Sequence, residues 1–205
     1  MTVSQARTDA MGAFMDAAER LLGTVGYADV SVRRLAEEAG INHGLIHYYF
    51  GSMEELFLRV LERFTDRLVE RHRAMYAADV PFIEKWRAAM RYLDEDLESG
   101  YQKIWYELQA MAWNHPDMRG RILRVNAEWR KVLADAFIQA METYGLDRDR
   151  VPVPVIVSLV YTFNQGIMLE RLSGVTAGHG ELLGAIDGWL ESLEAQRTSR
   201  MRAAR

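Results

Sequence analysis

Residues 42–49, Asn-His-Gly-Leu-Ile-His-Tyr-Tyr, crowd imidazole, phenol and amide side chains into one short stretch. Asparagine and histidine can hydrogen-bond base edges. A tyrosine hydroxyl can bond a phosphate, and its ring can lie against a thymine methyl. Gly44 lets the backbone come close to a sugar–phosphate wall. His43 and His47 stand four residues apart, the spacing of two metal ligands on one helical face. No third ligand is near in sequence, so no metal is expected there. Signs of catalysis are missing. The chain has no Gly-x-Ser-x-Gly, no Gly-x-Gly-x-x-Gly, no phosphate-loop lysine, no His-Glu-x-x-His and no Glu-x-x-His. His72 and His115 read as surface or capping residues. The chain is therefore not expected to be an enzyme or to need a cofactor.

Short helices must position that cluster. Apolar spacing is helical along nearly the whole chain, and no alternating strand pattern survives. Phe14, Ala17, Ala18, Leu21, Leu22 and Val25 form one stripe that Gly26 stops. Ser31 can cap a short helix with Val32, Leu35 and Ala36 inward. Ala39-Gly40-Ile41 makes a tight turn. Asn42 then caps a third helix with Leu45 and Ile46 inward, closed by Phe50 and Gly51. Residues 31–50 thus match a helix-turn-helix. Ser52 to Glu55 is a capping box that opens a long helix reaching about Met75. Further helices are expected near 82–97, 101–113, 117–144, 153–172 and 180–197. Pro116, Pro152 and Pro154 sit at first turns, and Gly145 and the Gly174–Gly180 loop at stops. The expected fold is all-α, with about nine helices: a helix-turn-helix head followed by a long helical remainder. Residues 198–205 read as a disordered, arginine-rich tail.

Composition sets bounds on this reading. The 205 residues contain no cysteine, which excludes disulfides and thiolate metal sites. The net charge is −4, and residues 1–50 hold four arginines against six acids. That balance predicts weak non-specific attraction to DNA, although the face the charges occupy matters more than their sum. No signal peptide is apparent, and the chain reads as cytoplasmic. Residues 151–169 carry no charge, but two prolines and Asn164-Gln165-Gly166 interrupt them. A helix buried on two sides inside the protein is the better reading than a membrane span.

The middle of the chain is rich in Trp, Tyr and Met. Any one of these large side chains is most simply core. Together with polar residues inside apolar helices, they can also line a cavity for a small molecule. The candidate lining residues are Trp86, Trp105, Gln109, Trp113, Asn126, Tyr161, Asn164 and Gln165. The polar members can bond each other or the backbone, or hold the polar end of a ligand.

A longer string of residues goes further. Ala17-Ala18 with Leu21-Leu22, Gly26-Tyr27, Val30-Ser31-Val32, Leu35-Ala36, Ala39-Gly40-Ile41, Gly44, Tyr48-Tyr49-Phe50, Gly51-Ser52 and Glu55-Leu56 together resemble the tetracycline-repressor (TetR) family of transcriptional regulators, from about Thr8 to Arg67. The resemblance implies DNA contacts from Ser31, Val32, Arg33, Asn42, His43, Gly44, His47, Tyr48 and Tyr49. It also implies a DNA-binding domain at 8–67 and a helical ligand-binding and dimerisation domain at 68–197, a homodimer formed through the helices near 153–172 and 180–197, a small-molecule effector bound in the C-terminal domain, and release of double-stranded operator DNA when the long 53–75 helix shifts. Three departures bear on affinity. Met53 stands where the family usually has lysine, His47 where tyrosine is frequent, and Arg7 alone represents the basic N-terminal arm. The alternative is an all-helical small-molecule-binding or interaction protein with weak or no DNA binding.

Overall fold

The computed structural model describes residues 3–203, and every regular element among them is helical. The helices are α1 (Val3–Val25), α2 (Val32–Ala39), α3 (Gly44–Phe50), α4 (Met53–Ala77), α5 (Phe82–Glu98), α6 (Tyr101–Asn114), α7 (Pro116–Tyr144), α8 (Val153–Leu172) and α9 (His179–Ala203), with a single 3-10 turn at Tyr27–Asp29. The expected all-α architecture is found, with nine α-helices among the described residues. Where a disordered tail is expected from residue 198, α9 instead continues through Ala203. Ser199, Met201 and Ala203 suit a helix, and Arg200 and Arg202 complement the negative end of its dipole. Ala204 and Arg205 lie outside the described residues.

Packing divides the chain into two units. The first takes the residues up to Arg67 together with Asp96–Val125; the second takes Leu68–Glu95 and Asn126–Arg205. The expected split at 67/68 marks one edge of the first unit, but residues 96–125 also join that unit. Periodicity shows which face of α6 is apolar, not which helix that face meets.

In the first unit, Phe14, Ala17, Ala18 and Leu22 of α1 are buried with Leu35, Ile46, Leu56, Phe57, Val60, Leu61, Ile104, Trp105 and Leu108. Burying a side chain of this size contributes about 1.5–3 kcal/mol. Glu19 of α1 accepts from Arg63 at 2.6 Å and Arg67 at 2.8 Å, both on α4. Thr65 and the Tyr101 hydroxyl lie 3.0 Å apart in the interior. Gly100, at φ +80°, starts α6 directly against α1: a Cβ there would lie 2.4 Å from the Gly23 Cα.

In the second unit, Leu133, Val157 and Tyr161 form a buried cluster with Trp129, Phe137, Val153 and Val160 around it. His72 is buried, with its Nδ1 2.8 Å from the Leu68 carbonyl and its ring edge-on to Tyr92 and Trp129. This corrects the reading of His72 as a surface or cap residue, since its position on α4 turns it inward. The expectation that α8 is buried on two sides also fails: only 22% of its most apolar window is buried. Val155, Leu159 and Leu169 are exposed, Leu159 by 70%. On α9, Leu190 is buried while Leu182 and Trp189, seven residues apart, face outward.

Candidate nucleic-acid interface

Local interactions hold the helix-turn-helix in place. The Ser31 Oγ accepts from the Arg34 amide at 3.2 Å, capping α2 as its sequence requires. Gly40 adopts φ 66°, and its amide reaches back to the last carbonyls of α2, a left-handed stop that glycine makes at least cost. Asn42 was expected to cap α3, but that helix begins at Gly44. The Asn42 Oδ1 instead accepts from the Gly44 amide at 2.9 Å, an Asx turn one residue ahead of the helix. Only half of the expected capping box forms. Ser52 Oγ accepts from the Glu55 amide at 3.1 Å, whereas the Glu55 carboxylate turns to Arg59 at 2.7 Å and to Arg121. Two strong charge-assisted bonds outbid one backbone amide.

Ile46 and Phe50 are the buried face of α3; Phe50 meets Phe14 edge-on and carries the Arg59 guanidinium over its ring at 5.6 Å. The opposite face projects outward. Asn42, His43, Gly44, His47 and Tyr48 are all exposed, Tyr48 by 70%. The His47 Nδ1 lies 3.1 Å from the Gly51 carbonyl. When Nδ1–H donates there, a neutral ring presents Nε2 as an acceptor. Tyr49 is only half-exposed. Its ring sits 6.4 Å from Phe14 and 5.2 Å from Tyr48, so it supports the outward tyrosine as much as it faces solvent. On α2, Ser31 and Arg33 are exposed and Val32 is half-buried. Arg33, Glu37, Asn42 and His43 line one surface groove.

The acids near this face are matched by arginines. Glu37 accepts from Arg33 at 3.0 Å and Glu38 from Arg20 at 2.7 Å. These exposed pairs add little stability. Their effect is to blunt negative charge beside a surface that would meet phosphates. Arg34, exposed on α2, is a cation absent from the expected contact set. Also unforeseen is Glu107 of α6, whose carboxylate accepts from the Tyr27 amide at 2.9 Å and so secures the turn that enters α2. A carboxylate aimed at a backbone amide eighty residues away leaves no periodic signal.

The residues expected to line an effector cavity are divided between the two units. Trp105, Gln109 and Trp113 belong to the first unit; Trp86, Asn126, Tyr161, Asn164 and Gln165 belong to the second. Trp105 is buried core beside Ile104 and Leu108, and Trp113, at the end of α6, is 69% exposed. Within the second unit, Asn126 Oδ1 accepts from Arg130 at 3.1 Å and Gln165 Nε2 donates to the Tyr161 hydroxyl at 2.9 Å. The Asn164 Oδ1 is buried without a hydrogen-bond partner. The Arg130 guanidinium lies 4.6 Å from the Tyr161 ring centre, and Arg71 lies 4.0 Å from that of Tyr92.

This head has recognisable relatives. The family described as bacterial regulatory proteins, tetR family, matches residues 14–60, the stretch that holds α2, the turn and α3. The head is of the TetR type. The HTH-type transcriptional repressor AcnR of Corynebacterium diphtheriae is 26% identical over 78% of this chain and 80% of its own length. A TetR-family regulator from Rhodococcus sp. shares 25% identity and superposes with a TM-score of 0.66 over 88% of this chain and 97% of its own. A regulator from Saccharomonospora viridis, solved in complex with choline, has the same fold at TM-score 0.71 and 19% identity, covering 92% and 95% of the two chains. The TetR likeness thus extends from the head through the helices of the second unit.

Proposed function

We propose that this TetR-family chain is a homodimeric, cytoplasmic transcriptional repressor that reads double-stranded operator DNA through α3 and lets go when a small, largely apolar molecule binds its C-terminal domain. The observation that carries this reading is the two-sided character of α3: Ile46 and Phe50 lock one face into the core while Asn42, His43, His47 and Tyr48 stand out from the other. The major groove, about 12 Å wide, admits a helix presented in this way. In this reading Asn42, His43 and His47 meet base edges, Tyr48 and Tyr49 meet a thymine methyl or a phosphate, Gly44 allows close approach, and Ser31, Val32 and Arg33 touch the flanking backbone. The start of α4 adds its positive dipole end to another phosphate.

One short helix reads too few bases to be selective, so two heads must act together, about 34 Å or a multiple apart. The outward apolar residues of α8 and α9 support a paired surface, because a row such as Val155, Leu159 and Leu169 gains by leaving water. Effector binding is read out along α4, an unbroken helix from the end of the head to Ala77. Moving the population from bound to released takes several kcal/mol of differential affinity, on the order of 5 for a near-complete switch. The Saccharomonospora regulator holds choline, a quaternary ammonium ligand. Here guanidinium groups already occupy the faces of Tyr92 and Tyr161, which favours an uncharged effector instead.

A fluorescence-anisotropy titration of the purified protein against the DNA upstream of its own gene tests this function. Binding that is tighter than to random duplex and that weakens with salt is expected. Equal binding to both duplexes would make the chain a helical interaction protein without operator preference.

A further inference from the structure

The turn between α4 and α5, with the C-terminal parts of α7 and α9, lines a half-open cavity of about 280 Å³ within the second unit. Its lining is mainly polar and includes Lys85, Gln139, Thr143, Tyr144, Glu194 and Arg197. Two of the charges cancel. The Arg197 Nη2 lies 2.6 Å from the Glu194 carboxylate, and Tyr144 donates its hydroxyl to the same carboxylate at 2.8 Å. Burial, with Glu194 beside it, pushes the Tyr144 hydroxyl up to about 12, so it stays a donor at neutral pH. The Glu194 carboxyl is held low, first by Arg197 and also by Tyr144, so the pair remains ionic.

Lys85 is what remains. It is 7% exposed, and its ammonium donates to the Tyr76 carbonyl at 2.6 Å, at the end of α4. That carbonyl and the helix dipole explain one of its three donors. No carboxylate among the described residues pairs with it. Asp79 also lines the cavity, but it is exposed on the turn, where water screens it. A buried cation with only a neutral partner is costly, and a counter-ion relieves that cost.

We infer that this cavity is a binding site for a small organic monocarboxylate, with the Lys85 ammonium as its counter-charge and Gln139 and Thr143 at its polar wall. The single uncompensated charge selects a monoanion. A phosphate dianion would place a second negative charge beside Glu194 with no cation left to meet it. The volume is just below the range that holds drug-sized molecules, which limits the guest to a small acid. The site stands independently of DNA release by an apolar effector.

Isothermal titration of the full-length protein with acetate, lactate and benzoate, and with inorganic phosphate and choline for comparison, tests the site. At least one carboxylate is expected to saturate one site per protomer, while phosphate and choline do not. Saturation is expected to be lost in Lys85→Gln and in Thr143→Phe, which narrows the cavity from an exposed position without touching the lysine. Failure of all three carboxylates to saturate, saturation by phosphate or choline at the same site, or carboxylate binding retained in either variant would overturn the inference. Circular dichroism matching wild type in Thr143→Phe separates a lost site from a lost fold.

Discussion

His47 and Tyr48 stand side by side on the outward face of α3, and they do different work in this account. In the tautomer whose Nδ1–H donates to the Gly51 carbonyl, a neutral His47 offers Nε2 as an acceptor, which matches the amino groups of adenine or cytosine in the major groove. Tyr48 offers a ring and a hydroxyl. Removing either, by His47→Ala or Tyr48→Ala, is expected to cost about 1–3 kcal/mol of operator binding. Neither touches the buried face, so dimerisation and helicity should be unchanged; a sedimentation and circular dichroism comparison checks that. Met53 opens α4 where a lysine is usual in the family. Met53→Lys should tighten binding and steepen the dependence of log K on log salt by about 0.9, the signature of one more phosphate contact. An unchanged slope would place the phosphate away from this helix start. These outward residues were all legible in the sequence. Tyr49 fits either the outward face or the core by sequence, and the extent of its withdrawal onto Phe14 is not legible there, because periodicity assigns a face to a residue and does not tell how far a large ring leans back along it.

At the scale of elements, two contacts are decisive. Gly100 starts α6 in a left-handed conformation with Gly23 of α1 pressed against it. Gly100→Ala adds backbone strain and a collision with main-chain atoms that cannot rotate away, and should lower stability by about 2–4 kcal/mol. Urea denaturation measures it. Gly40→Ala carries only the strain, since its surroundings are open, and should cost less, about 1–2 kcal/mol. The second contact is His72 on α4. Burial pulls its pKa down from 6.5 to about 4, with Arg71 adding to the effect and the Leu68 carbonyl opposing it. The unfolded chain therefore binds a proton between those two values that the folded chain refuses. The sign follows: His72 costs nothing above pH 6.5, and stability falls as pH drops from 6.5 towards 4, by about 3 kcal/mol in all. His72→Phe keeps an aromatic ring among Tyr92 and Trp129 and should flatten that part of the stability–pH curve. If wild type and variant show the same slope between pH 6.5 and 4, the imidazole is not buried as described. Element positions came through well from apolar spacing, with α8 expected at 153–172 and found there. The inward turn of His72 did not, because a lone polar residue near a helix end fits a cap as readily as a core.

For the molecule as a whole, the informative feature is the apolar surface that α8 and α9 leave uncovered in a single protomer. The charge-free run at 151–169 was legible as a helix hidden from water. Two coverings fit that run in the sequence, the protomer's own core and, through the TetR resemblance, a second copy; the exposure of Val155, Leu159 and Leu169 favours the second copy. Leu159→Glu with Trp189→Glu places charge on two exposed positions and spares the buried Val157, Tyr161 and Leu190. Helicity should persist while the protein sediments as a monomer and binds operator at least about tenfold more weakly, since each head then binds without its linked partner. A dimer unaffected by both charges would move the pairing surface elsewhere.

In the proposed dimer the two copies of α3 would enter successive major grooves on one side of the duplex. Methylation-interference footprinting of the protein on its own upstream DNA tests it most directly, because guanine N7 methylation blocks the major groove alone. The account predicts two symmetric blocks of interference about 10 base pairs apart, or a multiple of that, both fading in the Tyr48→Ala protein. A single block, or protection insensitive to major-groove methylation, would contradict it.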